Sequence, residues 1–294
     1  MSFQRPLELF GFPTHDACPT GEPWDRLRTE LANAPVRDAK CPFCEENCNK
    51  IRKAKPNPLI GNCTAGLIRK GEHAAWIVCP KRFEQDDIIF KDAAAAFGLT
   101  GTTVYLAKEL KLGGAGNLDF ALVTLKDDKV DDFIGIEVQS MGTSGSGSIW
   151  TARNDYLAGA LKEQYSYGMN TKDASKKILV QMLHKGRQLS RLKKKYLLVI
   201  QDHLLGQLRS QFDLSHFRPA DAGDFVYIHS YKLECVNGKY LLKLQEKISI
   251  DSMTLPSILA PNPDRDKLVT EKSLQKTVSD KRKRGKVREL PATI

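Results

Sequence analysis

Two apolar runs parted by a charged turn stand out between Asn117 and Gln139, in NLDFALVTLKDDKVDDFIGIEVQ. Phe120–Leu125 and Phe133–Val138 are apolar runs rich in β-formers, and the charged Lys126-Asp127-Asp128-Lys129 between them has the polarity of a turn, so the pattern predicts a hairpin. Downstream, Asn170 to Leu189 places Ile178, Leu179, Met182 and Leu183 at helical spacing with Lys172, Lys176, Lys177, Lys185 and Arg187 interleaved. That is an amphipathic helix whose apolar stripe should pack on a sheet. Tyr196 to Asp202 reads as the most deeply buried strand, and Phe225–Cys235 with Tyr240–Ile250 reads as a second hairpin turning at Asn237-Gly238. Weaker patterns predict a helix over Asp92–Phe97 and a partly helical Trp150–Tyr167. They also predict a short helix from Pro23 to Ala32, and a helix, or a strand giving way to one, over Thr102–Leu112. Strands mixed with helices in this order predict an α/β protein built on a mixed sheet.

Length and composition narrow the class. A chain of 294 residues, 41% hydrophobic and 27% charged, has the balance of a globular protein with a full core. No apolar run approaches the ~20 residues of a membrane helix, and the first residues lack a signal peptide's pattern, so the expected location is cytoplasmic, without a membrane partner. The formal charge of +10 favours an anionic partner such as nucleic acid. After Pro261 the chain turns polar and ends in DKRKRGKVREL, basic enough to touch DNA and too polar to build a core. The expected division is therefore a cysteine-bearing segment over 1–82, a core over 83–260 and a basic tail over 261–294.

Two groups of residues carry chemistry. Side chains alternate along a strand, so Glu137 and Gln139 share one face, and Asp119 at the start of the first strand can reach the place where Glu137 leaves the sheet. A carboxylate inside Ile134-Gly135-Ile136-Glu137-Val138 needs a partner, and a hard divalent cation is one. The second group is a cysteine cluster. Five of the seven cysteines, Cys41, Cys44, Cys48, Cys63 and Cys79, fall within one short stretch, which in a reducing compartment reads as a metal site. Five candidates compete for four tetrahedral positions. Lys176, Lys177 and Lys185 are candidate contacts for DNA phosphates. The Gly113-Gly114-Ala115-Gly116 run lacks the Lys-Ser/Thr and following helix of a phosphate loop and reads as a connection, and Ser140–Ser148 reads as a mobile loop.

Asp119, a hairpin and then Gly-Ile-Glu-Val-Gln-Ser resemble the PD-(D/E)XK nuclease core, and more narrowly the NotI-type restriction endonucleases, which carry Gln where most of that superfamily has Lys. The resemblance spans roughly residues 36 to 200. It implies an αβββαβ core and a type II restriction endonuclease. Asp119, Glu137 and the Val138 carbonyl would hold Mg²⁺ against the scissile phosphate, acidifying a water, and Gln139 would orient that water or a phosphate oxygen. Gln139 is no general base, because an amide takes no proton near neutral pH. An additional acidic residue often comes from a helix before the catalytic Asp, a place Glu109 would fill. Cys41-Pro42-Phe43, Cys48, Gly61-Asn62-Cys63 and Cys79-Pro80 match the family's ligand pattern in order. Cys41, Cys48, Cys63 and Cys79 are thereby the implied ligands of a structural metal, with Cys44 left without a counterpart. The family's metal is iron, while thiolate chemistry alone admits iron, zinc or a cluster. The resemblance further implies a homodimer cutting a palindromic, GC-rich duplex. A repair-type nuclease without sequence preference and a non-catalytic, metal-stapled DNA-binding protein are the alternatives.

Overall fold

In a computed structural model the described residues are 4–14, 40–44, 46–48, 60–69, 72–145 and 148–260, with short pieces at 275–276, 279–280 and 283–284. The helix expected over Pro23–Ala32 and most of the basic tail lie outside them. A small antiparallel sheet comes first: β1 (Pro6–Leu9), β2 (Phe12–Pro13), β3 (Asn62–Arg69) and β4 (Glu72–Ile77), in the order β2-β1-β3-β4. The sequence reading gave this region no strands. β1 and β2 are too short for a period of two to register, and Ala and Gly dilute β3 and β4.

A 3₁₀ segment (Pro80–Asp87) leads into α1 (Ile88–Ala96), and the large sheet then begins with β5 (Tyr105–Lys111), β6 (Asn117–Lys126) and β7 (Lys129–Gln139). β5 pairs with β6 and β6 with β7, both antiparallel. The β6–β7 turn holds Asp127 and Asp128 at φ 50° and 59°, the backbone of a two-residue hairpin turn. Thr102–Leu112 contains a strand and no helix: Tyr105–Lys111 pairs with β6 at the sheet edge, where Leu110 packs against the core and Leu106 is exposed. Ser140–Ser148, expected as a loop, contributes β8 (Thr143–Ser144), which pairs with β9 (Gly168–Met169), and α2 (Ser148–Leu157) starts at its end.

The long amphipathic helix is present but interrupted. α3 (Thr171–Gln181) passes through a single π-turn (Met182–Gly186) into α4 (Arg187–Arg191). It carries the chain over the sheet to β10 (Lys195–Gln201), parallel to β7, as a crossover between parallel strands requires. Following α5 (Asp202–Gln211) and the short β11 (Arg218–Pro219), β12 (Val226–Val236) and β13 (Lys239–Ile250) close the sheet as the expected hairpin, turning at Asn237-Gly238. The final order is β11-β13-β12-β10-β7-β6-β5, a mixed sheet.

Both faces of that sheet are covered. Tyr196, Leu198 and Ile200 pack with α3–α5, while Leu197 and Val199 face the side where α1 lies, so β10 is apolar at every position but its ends. The small sheet joins at one end of the large one. The Gln201 side chain accepts the Ile77 N–H at 2.8 Å and donates to the Ala75 carbonyl, and the Met141 N–H reaches Ile77 O at 2.9 Å. β4 therefore ends beside the exit of β7, and Pro80 and Lys81, which follow Cys79, line the pocket that holds Asp119. Among the described residues no helix is long and apolar enough to cross a membrane.

Candidate active site and metal centre

β6 and β7 bring the two predicted carboxylates together. Their ladder runs to Phe120↔Ile136; one residue earlier Asp119 turns its side chain onto the partner strand, and its Oδ2 accepts the Val138 N–H at 2.8 Å. Glu137 is 2% exposed. Burial, reinforced by the Asp119 charge, pushes its carboxyl up to about 7, against the pull of the Lys185 ammonium. Lys185 Nζ donates to Glu137 Oε1 and to the Asn117 carbonyl, and Gln181 Nε2 donates to Glu137 Oε2 at 3.0 Å.

Tyr196 lies close enough for both carboxylates to raise its phenol pKa well above the ordinary value, on top of the larger effect of burial. Its hydroxyl and Gln181 Oε1 are buried without a hydrogen-bond partner among the described residues. Two ionisable carboxylates flanked by orphaned polar atoms suit a hydrated hard cation, which adds charge and brings water to the unpaired groups.

The other predicted residues fall as follows. Val138 lines the same open pocket as Asp119. Gln139 is half-buried at the next position on Glu137's face, and its amide donates to the Ser140 carbonyl at 2.6 Å. Glu109 is exposed on β5 at φ 54°, between the pairs Lys108↔Phe120 and Leu110↔Leu118, so it sits across from Asp119 and lines the pocket from a strand, not from a helix. Lys176 and Lys177 are exposed on the outer face of α3, free to meet a phosphate. Lys185 is not offered that way: it is 8% exposed and turned inward onto Glu137.

The pocket also takes residues the sequence reading missed. Glu84, in the 3₁₀ segment, is buried, which raises its pKa, and Lys108 bonds it at 3.3 Å. Lys108 and Lys81 both hold Glu46, at 2.7 and 2.8 Å, and depress its carboxyl to about 2. Nothing periodic marks these positions, because the contacts join segments far apart in sequence.

Cys41, Cys48, Cys63 and Cys79 line one enclosed pocket, whereas Cys44 opens into a neighbouring one with Phe43 and Glu84. Local structure explains the grouping. Lys40 and Asn47 form an antiparallel bridge and the Cys41 N–H reaches Glu46 O at 2.9 Å, closing the loop between Cys41 and Cys48. Cys63 enters β3 and Cys79 follows β4, with the Cys79 N–H on Cys63 O at 3.3 Å. Gly61 is at φ 65°, and a Cβ there would meet the Phe10 ring at 2.1 Å, so only glycine lets the chain turn this tightly into Cys63. Burial, then the neighbouring Cys79, hold the Cys63 thiol well above its ordinary pKa, and burial pushes Cys44 up to about 11. Among the described residues no three His, Cys, Asp or Glu side chains converge tightly enough to hold an ion as they stand. Four sulfurs around one buried space, with both side-chain polar atoms of Asn62 unpartnered on its wall, nevertheless have the donor chemistry of a thiolate metal site.

Comparison with known proteins supplies the identity. The family profile described as Restriction endonuclease NotI matches residues 25–242 and so takes in all four pocket cysteines, both carboxylates and the π-turn. No curated protein matches the chain. With most of its length covered, the chain belongs to the NotI restriction endonuclease family and is a type II site-specific deoxyribonuclease.

Proposed function

We propose that this enzyme hydrolyses both strands of duplex DNA at a short, GC-rich palindrome, in a Mg²⁺-dependent reaction performed by a PD-(D/E)XK core acting as a homodimer. The element order supports the core: α1, the antiparallel β5, β6 and β7, the crossover helix and the parallel β10 follow the expected α-β-β-β-α-β sequence. The single observation that carries the reading is the junction at the end of β7, where the Asp119 carboxylate takes the Val138 N–H beside the buried Glu137. Asp119, Glu137 and the Val138 carbonyl are the groups that would hold Mg²⁺, which supplies Lewis-acid charge to the scissile phosphate and its attacking water. Asp119 is fixed by its bond to the Val138 N–H. Glu109 adds negative charge across from it on β5. Gln139 is assigned to orienting the water or a phosphate oxygen, and Lys176 and Lys177 to the DNA backbone.

Cys41, Cys48, Cys63 and Cys79 are assigned to one structural iron or zinc, whose binding energy is folding energy for residues 1–82. The nuclease core occupies 83–260, and the basic tail over 261–294 adds non-specific attraction. Digestion of a fully sequenced plasmid with Mg²⁺ and with EDTA tests the reaction. Discrete fragments ending at one short sequence are expected only with Mg²⁺, and a smear would show that the cutting is not confined to such a site. Glu137→Ala should lower the rate by about 10³-fold or more while DNA is still retarded on a gel. Unchanged cleavage by that variant would remove Glu137 from the site.

A further inference from the structure

The buried face of the crossover helix carries an arrangement that the assigned site leaves unused. Gln181 closes α3 and Lys185 lies within the π-turn that follows, four residues on. Positions four apart lie on one face of a helix, and a single π-turn inside an α-helix is a feature often found at functional sites. Both side chains accordingly reach the same carboxylate, Gln181 at Glu137 Oε2 and Lys185 at Oε1. Lys185 is also tethered to the Asn117 carbonyl at the start of β6, two residues before Asp119, so one ammonium links the helix to both catalytic strands.

A long flexible cation is seldom buried unless it is paired. The packing beneath it enforces the position. A Cβ at Gly186 would meet Val226 Cγ2 at 3.1 Å, and one at Gly135 would meet Leu189 Cδ1 at 2.6 Å, so glycines on both surfaces let helix and sheet approach closely. Meanwhile Gln139, on the same face of β7 as Glu137, is neutral.

We propose that Lys185, with Gln181, is a positioning pair that supplies from the π-turn the fixed positive charge and the orienting donor that the strand itself lacks, holding the Glu137 carboxylate aimed at the ion-binding position. The inference rests on the reading of Glu137 as an ion-holding carboxylate. In this arrangement the ammonium and a divalent cation compete for one carboxylate. Removing the ammonium should therefore tighten ion binding while loosening the aim of the ligand. A lysine that only filled space would not produce opposite changes in the two quantities.

The experiment uses the full-length enzyme and two readouts: the single-turnover cleavage rate at saturating Mg²⁺, and the Mg²⁺ concentration at the midpoint of the ion's thermal stabilisation of the DNA-free protein. For Lys185→Met the expected result is a rate about 100-fold lower and a midpoint roughly 10-fold lower. Lys185→Arg, which keeps the charge, should recover much of the rate and restore the midpoint. A wild-type rate and midpoint in Lys185→Met would overturn the proposal, and so would a slower rate with an unchanged or raised midpoint. Should Lys185→Met fail to fold, Gln181→Met removes the second donor without stranding a charge. A rate about tenfold lower is then expected, and an unchanged rate overturns the pair. Glu137→Gln separates the two levels. If it cleaves normally, the assignment of Glu137 itself is wrong; if it is inactive while Lys185→Met is normal, only the positioning role fails.

Discussion

A methyl group added at Gly135 would lie 2.6 Å from Leu189 and 2.7 Å from Leu118, closer than carbon atoms approach in packed proteins. Relief requires repacking Leu189, on the helix that follows Lys185, or Leu118, on the strand that carries Asp119. Gly135→Ala is expected to cost about 1–3 kcal/mol of stability and to slow cleavage by more than that loss explains. A melting curve and a rate measured well below the melting temperature distinguish the two effects. His229 makes a different prediction at this scale. It is buried against Phe97, its ring nitrogens have no partner among the described residues, and burial with the nearby Lys247 holds its pKa down to about 4. Between that value and the ordinary 6.5 the unfolded chain binds a proton that the folded one refuses. Stability should therefore rise with pH through this window and fall as pH drops through it, by about 3 kcal/mol in all. Denaturant titrations at pH 6.5 and 4.5 should show the fall in the wild type and a shallower one in His229→Phe; equal slopes would mean that His229 is already charged when folded.

Elements differed in how far they were legible beforehand. The β6–β7 and β12–β13 hairpins and β10 announced themselves, because each buries a run of β-formers and ends at residues that tolerate a turn. The crossover helix was equally plain, yet its π-turn was not, since Met182–Gly186 has no composition that sets it apart from the α-helix on either side. For the same reason Lys185 looked like one more charge on a solvated face: hydropathy cannot tell an inward lysine from an outward one. β5 was ambiguous because Leu106 and Leu110 fit either period. Asp119 and Glu137 were readable together because they lie on paired strands, whereas Glu84, Lys108 and Glu46 meet only through tertiary folding. The loop ending in Cys41 and Cys48 carries a prediction of its own. If the four cysteines hold a metal as proposed, Cys63→Ser should lose it, measured by elemental analysis, and expose residues 40–79 to protease well below the temperature at which the large sheet melts. Retention of the metal would show that Cys63 is not a ligand, and Cys44 would become the next thiol to test.

For the whole molecule, the charge of +10 sets the terms of association. If Lys176, Lys177 and their symmetry mates meet phosphates, the logarithm of affinity should fall steeply and linearly with the logarithm of salt concentration. Replacing both lysines with Gln should flatten that slope by roughly two for each protomer, with little change in which sequence is cut. Sedimentation should give twice the 32.9 kDa chain mass if the homodimer exists in the absence of DNA.

The pocket beside Asp119 draws its wall from both sides of residue 83: Glu46, Pro80 and Lys81 before it, Glu84, Lys108, Glu109, Phe120 and Val138 after it. Excising everything before residue 83 would spare every strand of the large sheet and still breach that wall. Where this protein can be cut into folding units and where it can be cut without disarming it are therefore different questions, and a minimal nuclease derived from it would have to keep its amino-terminal cysteine loop.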